Sequence, residues 1–163
     1  MHKLYDFMEA RERLATIAVK TKLIHSSVYS QETGNDVYIK PENLQRTGAF
    51  KIRGAYNRIA ELTEEERAKG IITASAGNHA QGVSYASRAF KAPCTIVMPE
   101  TTPLIKIESA KEKGANIVLF GASYDEAYNK ALSISKETGR STPFKLSLIP
   151  ADFLTNIGAE ILV

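Results

Sequence analysis

Lys51 stands in the stretch ENLQRTGAFKIRGAYN, Glu42–Asn57. A turn-like Thr47-Gly48 precedes it, Phe50 adjoins it, and Gly54 and Ala55 follow three and four residues later. If Ala49–Glu61 is a helix, both small residues share the face of the lysine. Long polar side chains ordinarily stand on such a face, so the gap leaves room for something flat. Burial against apolar groups and proximity to a helix N-terminus both favour the neutral amine. A neutral lysine amine condenses with carbonyl compounds to form imines. A surface lysine on a plain helix also accounts for this stretch.

The second stretch with chemical content is SAGNHAQG, Ser75–Gly82, between a β-rich run and a helical pattern. Open α/β sheets place their ligand sites at the carboxyl ends of the strands. Ser75, the peptide N–H groups of Ala76, Gly77, Asn78 and His79, and the Asn78 amide can converge there on an anion. The positive end of the helix dipole adds to the attraction, and a carboxylate or phosphate would suit. The spacing matches neither G-x-G-x-x-G nor G-x-x-x-x-G-K-[ST]. A glycine turn with an Asn or Ser cap is the plain alternative. His2, His25 and His79 are scattered and have no ligand spacing to Cys94, so no metal is expected.

These residues need elements to hold them, and the chain from residue 71 onward supplies a readable series. Gly70–Ala76, Cys94–Met98 and Asn116–Phe120 are short apolar, β-rich runs. Between them, Asn78–Phe90 carries apolar residues at helical spacing. Thr102-Pro103 predicts a helix start, with Thr102 as cap and the helix running to about Lys113. Ser123 with Glu126 forms a capping box for a helix towards Glu137, closed by Gly139. Alternating strands and helices of these lengths predict an α/β fold: an open parallel sheet with flanking helices, its strands covered on both faces. Earlier in the chain, helices are expected over Phe7–Ile17 and from a Thr63/Glu66 capping box to Gly70, with an edge strand at Asp36–Lys40.

Composition excludes several classes. Of the 163 residues, 44% are hydrophobic and 24% charged, as in ordinary globular proteins. The net charge of +3 is spread among mixed signs, with no Lys/Arg run, so no nucleic-acid partner is expected. Cys94 is the single cysteine; in APCTIVM it reads as a small buried hydrophobe. The N-terminus has no apolar signal region, and no run approaches a membrane span. A cytoplasmic location is expected.

Taken together, KPENLQRTGAFKIRGAYN and ASAGNHAQGVSYAS resemble the threonine/serine dehydratase family of fold-type II (tryptophan synthase β-like) pyridoxal-phosphate enzymes, which includes threonine ammonia-lyases and serine racemases. The likeness continues through VMPETTPLIKIESAKEKGANIVLFGASYDEA and covers about Tyr5 to Phe144. It implies pyridoxal 5'-phosphate as cofactor, held by Lys51 as an imine, with Lys51 then acting as base on the substrate Cα proton. It implies Phe50 beside the cofactor, Asn78 on the phenolic oxygen of the ring, and Ser75, Ala76, Gly77, Asn78 and His79 around the substrate carboxylate. The implied reaction converts L-threonine to 2-oxobutanoate and ammonia, or L-serine to pyruvate. A homo-oligomer is implied as well.

The chain also departs from the family. Relatives run about twice as long, and their second half carries the glycine-rich phosphate loop; nothing here matches it. Lys145–Asn156 does not fit the family pattern, which resumes at Ile157–Leu162, as expected of a frame-shifted or rearranged block. The expected organisation is an incomplete enzyme: residues 1–45 that normally pack on a larger domain, residues 46–144 as the lysine helix with the smaller α/β domain, and residues 145–163 as a divergent start of the larger domain. A serine-racemase activity and a non-catalytic remnant remain open beside the lyase.

Overall fold

The computed structural model describes residues 4–142. The tail with its divergent block and the returning pattern at Ile157–Leu162 lies outside the described residues. The chain begins with α1 (Leu4–Leu14), β1 (Ile24–His25), α2 (Ser27–Thr33) and β2 (Tyr38–Ile39), followed by a 3-10 turn at Glu42–Leu44. Then come α3 (Lys51–Ala60), α4 (Glu64–Lys69), β3 (Ile71–Ala74), α5 (Asn78–Ala89), β4 (Cys94–Met98), α6 (Leu104–Glu112), β5 (Ala115–Leu119) and α7 (Tyr124–Thr138).

The three apolar runs form a parallel sheet in the order β3-β4-β5. Ile71 pairs with Cys94 and Cys94 with Ala115, so the strands start level, and β3 ends one residue before β4 and β5. Ser141 continues the sheet beyond β3: the Ile72 N–H donates to its carbonyl at 3.0 Å and its own N–H donates to Gly70 O at 3.0 Å. One face of the sheet packs Ile71, Ile96 and Met98 against α3, α5 and α6 through Ala55, Ile59, Val83, Ala86 and Ile107. The other face packs Ile72, Ala74 and Val97 against Ala127 and Ala131 of α7. Burial of each such aliphatic side chain contributes about 1.5–3 kcal/mol, which is why continuous apolar runs become central strands. β5 differs: only Ala115 is buried and Leu119 is exposed, because it is the edge. Helices flank both faces of the sheet, and at the edge Ile117 and Val118 of β5 pack, partly buried, against the two cores.

Several boundaries follow the local chemistry read from sequence. Thr63 accepts from Glu66 N at 3.2 Å while Glu66 accepts from Thr63 N at 2.8 Å, a complete capping box. Ser123 caps α7 through Glu126 N, but the Glu126 carboxylate reaches back to Ala122 N at 2.7 Å instead of the cap residue. Thr102 does not cap α6. Pro103 occupies the cap position itself, with ψ 137°, so Thr102 sits one residue too early, and its buried hydroxyl finds no hydrogen bond among the described residues. The N-terminal helix ends at Leu14 and not at Ile17, where tight turns onto the Leu14 carbonyl replace it. The Asp36–Lys40 strand shrinks to Tyr38–Ile39, antiparallel to Ile24–His25. Among the described residues no helix is long and apolar enough to cross a membrane, and no group of three or more His, Cys, Asp or Glu side chains is placed to hold a metal.

Candidate active site

Lys51 is the first residue of α3, and the Thr47-Gly48 turn delivers the chain to it. Gly48 adopts φ 70°, a left-handed conformation that a side chain would strain, and its N–H donates to Gln45 O at 2.8 Å. Phe50 precedes the helix, and the Lys51 Nζ lies 4.9 Å from the centroid of its ring. That is cation–π distance, so the aromatic neighbour steers the amine as well as shielding it.

A buried ion pair fixes this turn from below. Arg53, fully buried, donates from Nε to Glu42 Oε2 at 2.8 Å and from Nη2 to Glu42 Oε1 at 2.9 Å. Thr21 Oγ1 also donates to Glu42 Oε1, at 2.7 Å, and Arg53 reaches the Val19 carbonyl at 3.2 Å. Gln45 clips Val19 from both sides, accepting from its N–H at 2.8 Å and donating to its carbonyl at 2.7 Å. Burial pushes the Glu42 carboxyl up, but the hydrogen bonds from Arg53 and Thr21 and the Arg53 charge outweigh it and hold the pKa below the ordinary value. Residues 19–45 are thereby bound to the first turn of α3.

The loop after β3 comes to the same place. Ser75 Oγ accepts from Gly77 N at 3.3 Å and from Ala80 N at 3.2 Å, so its oxygen closes the N-terminal turn of α5 and leaves the hydroxyl proton to donate outward. Ala76 and Gly77 are part-exposed in this turn, and Asn78, the first residue of α5, is exposed. Gly82 is the contact point with the lysine helix: a Cβ there would stand 2.9 Å from both C and O of Lys51 and 3.1 Å from Ile52 N. Asn78 lies one turn before Gly82 in α5. His79 is close enough to respond to the lysine: burial, and then the Lys51 charge, lower its pKa to about 4.

That depression predicts a pH dependence of stability. The unfolded His79 binds a proton near its ordinary 6.5, the folded one only near 4, so between those values the unfolded state holds more protons. Stability is full above pH 6.5 and falls as pH drops towards 4, by about 1 kcal/mol per pH unit at most. Urea midpoints for the wild type and His79→Gln at pH 7, 5.5 and 4.5 should show the slope in the first and a flatter one in the second.

Gly54 and Ala55 part company in the structure. A Cβ at Gly54 would meet nothing within 4 Å, so the open space predicted beside the lysine is there. Ala55 is buried in the core cluster with Ile59 and Val83; it is small because a helix packs on it, and it does not line an opening. Three contributors were not singled out in the sequence. Glu42 and Arg53 are charged residues of a kind usually solvated, and their pairing spans 11 residues. Gly82 inside a helical pattern costs about 1 kcal/mol against alanine, and that cost is the signal that points to a packing reason. A separate concavity of about 280 Å³, lined by Glu64, Arg67, Ala68, Phe90, Lys91 and Ala92, lies away from Lys51. There Arg67 stacks 5.1 Å from Phe90 and closes the end of α3 by donating to the Ile59, Ala60 and Leu62 carbonyls, a structural task.

A family model described as pyridoxal-phosphate dependent enzyme matches residues 14–162. The chain belongs to that family. L-threonine ammonia-lyase of Thermotoga maritima is 52% identical over 139 residues, covering 85% of this chain and 35% of that protein. L-threonine ammonia-lyase of Geobacter sulfurreducens is 47% identical over 156 residues, covering 94% of this chain and 39% of that one. Among solved structures, the processed form of threonine deaminase isoform 2 from Solanum lycopersicum superposes with a TM-score of 0.84 at 38% identity, over 97% of this chain and 47% of that one. Maize serine racemase gives 0.87 at 31% identity, over 98% and 48%. The fold is thus that of the pyridoxal-phosphate family, and the chain spans between a third and a half of the length of these relatives.

Proposed function

We propose that this chain is the N-terminal part of a pyridoxal-phosphate-dependent lyase that converts L-threonine to 2-oxobutanoate and ammonia, with L-serine to pyruvate as a second reaction. The observation that carries the reading is the backbone contact of Gly82, the fifth residue of α5, on Lys51, which seats the lysine beside a helix whose N-terminus suits an anion. The residues present fit the ring end of the cofactor: an amine on Lys51, open space over Gly54, an aromatic face on Phe50 and the exposed Asn78 amide.

When bound, pyridoxal phosphate supplies an electron sink conjugated to the substrate Cα. The work of the chain is to hold and to move protons. Lys51 would hold the cofactor through its Nζ, and the same amine would serve as base for the substrate Cα proton. Asn78 would donate its amide to the phenolic oxygen of the ring. The N-terminal turn of α5, with the Ser75 hydroxyl and the peptide groups from Ala76 to His79, receives the substrate carboxylate. The neutral His79 adds no second cation beside Lys51 at pH 7. Loss of the β-hydroxyl as water and hydrolysis of the released enamine then balance to one 2-oxo acid and one ammonia.

Residues 1–45 carry Leu23, Ile24, Val28, Tyr29, Tyr38, Ile39 and Leu44 exposed. We assign this apolar surface to a larger domain built from downstream sequence and residues 46–144 to the smaller domain; chains without that cover are expected to self-associate. The test is product release: with pyridoxal phosphate and L-threonine, 2-oxobutanoate should form faster than pyruvate forms from L-serine. The superposition on maize serine racemase favours a second reading, which D-serine production from L-serine would support. Neither product, with no Lys51 adduct, would leave a folded remnant.

A further inference from the structure

We infer that Gly82 is a positioning residue: by lacking a side chain it seats the backbone of α3 at Lys51 directly on α5, and so sets where the lysine amine stands relative to Asn78 and His79. This deepens the proposed reading, and only one arm of its test depends on that reading. The three atoms that a Cβ at Gly82 would meet at 2.9–3.1 Å are all main chain, Lys51 C, Lys51 O and Ile52 N, so no side chain can swing aside. α5 cannot retreat, because Ala80, Val83 and Ala86 around Gly82 are fully buried against the core. α3 is held from its third residue onward by buried Arg53, paired with Glu42, and by buried Ala55 and Ile59, which leaves its first residue as the point that can yield. An added methyl must therefore displace the start of α3, and Lys51 is its first residue. Gly54 provides the contrast: a Cβ there meets nothing within 4 Å, so no close backbone approach requires that glycine.

The test compares Gly82→Ala with Ile59→Ala, which loosens α3 by a cavity but does not press on Lys51. The first arm uses no cofactor. In the full chain, the ring resonances of His79, assigned with His79→Gln, report its protonation. At pH 5 about a tenth of wild-type rings should be protonated, given a pKa of about 4. In Gly82→Ala, with Lys51 and its helix displaced, a measurably larger fraction should be; in Ile59→Ala the fraction should stay near the wild-type one. The second arm measures the rate of Lys51 labelling by pyridoxal phosphate and borohydride, expected to fall about tenfold in Gly82→Ala only. If Gly82→Ala is poorly folded, both arms are read in trimethylamine N-oxide, which favours the compact state. A folded Gly82→Ala chain with unchanged His79 protonation overturns the inference, as does a chain that stays unfolded in the osmolyte, since the glycine then serves the fold alone. No labelling of wild type with His79 still responding would sink the cofactor reading and leave the role of Gly82 standing.

Discussion

Lys51→Ala, supplied with pyridoxal phosphate, is expected to release ammonia from L-threonine about 10³-fold or more slowly than the wild type. Two functions leave together: the covalent hold on the cofactor and the base for the Cα proton, the latter alone typically contributing 10²–10⁴-fold. The loss should not come from unfolding. Lys51 is only part-buried at the first position of α3, and alanine is a better helix former, so the far-UV signal and urea midpoint should change little. A cofactor-free consequence follows as well. The Lys51 charge is the second cause of the low His79 pKa after burial, so the substitution should raise the His79 titration while leaving it below 6.5. An active Lys51→Ala chain would move the chemistry to another residue.

Arg53→Met should be the most damaging change to stability, at about 3–5 kcal/mol, because it strands Glu42 as a buried carboxylate. A domain of this size is stable by only about 5–15 kcal/mol, so a large share of the fold is at stake. Glu42→Gln with Arg53→Met should recover much of that loss, since replacing both charges removes the stranded one. Urea unfolding of the two single variants and the double variant measures the coupling. The pair also has a pH signature. Because the Glu42 pKa lies below its ordinary 4.5, its contribution is present above that value and is lost as pH falls through the folded pKa. Acid sensitivity should thus come in two stages, His79 between pH 6.5 and 4 and Glu42 below 4.5, and Arg53→Met should remove the second.

What could be read in sequence followed from how local each cause is. Cys94–Met98 is a strand over the residues foreseen, since an apolar run buried on both faces leaves one solution. The Thr63/Glu66 box and the αL cap at Gly139 are contained in a few neighbouring residues and were legible for that reason. The Thr102 cap failed on a one-residue matter, whether Pro103 is the first helical residue or the one before it, which composition does not settle. At the site, Lys51, Phe50 and the Ser75–His79 loop stood out by residue type and spacing. Their supports did not. Glu42 and Arg53 look like any solvated pair until the chain folds Thr21 and Val19 over them, and Gly82 matters only because α3 crosses it.

The most direct measurement is the site of covalent capture. The full chain is mixed with pyridoxal phosphate, reduced with borohydride, digested, and its peptides weighed. The proposed chemistry predicts one dominant phosphopyridoxyl-bearing peptide, with the modification on Lys51. Label spread over the surface lysines, or Lys51 left unmodified, would contradict it.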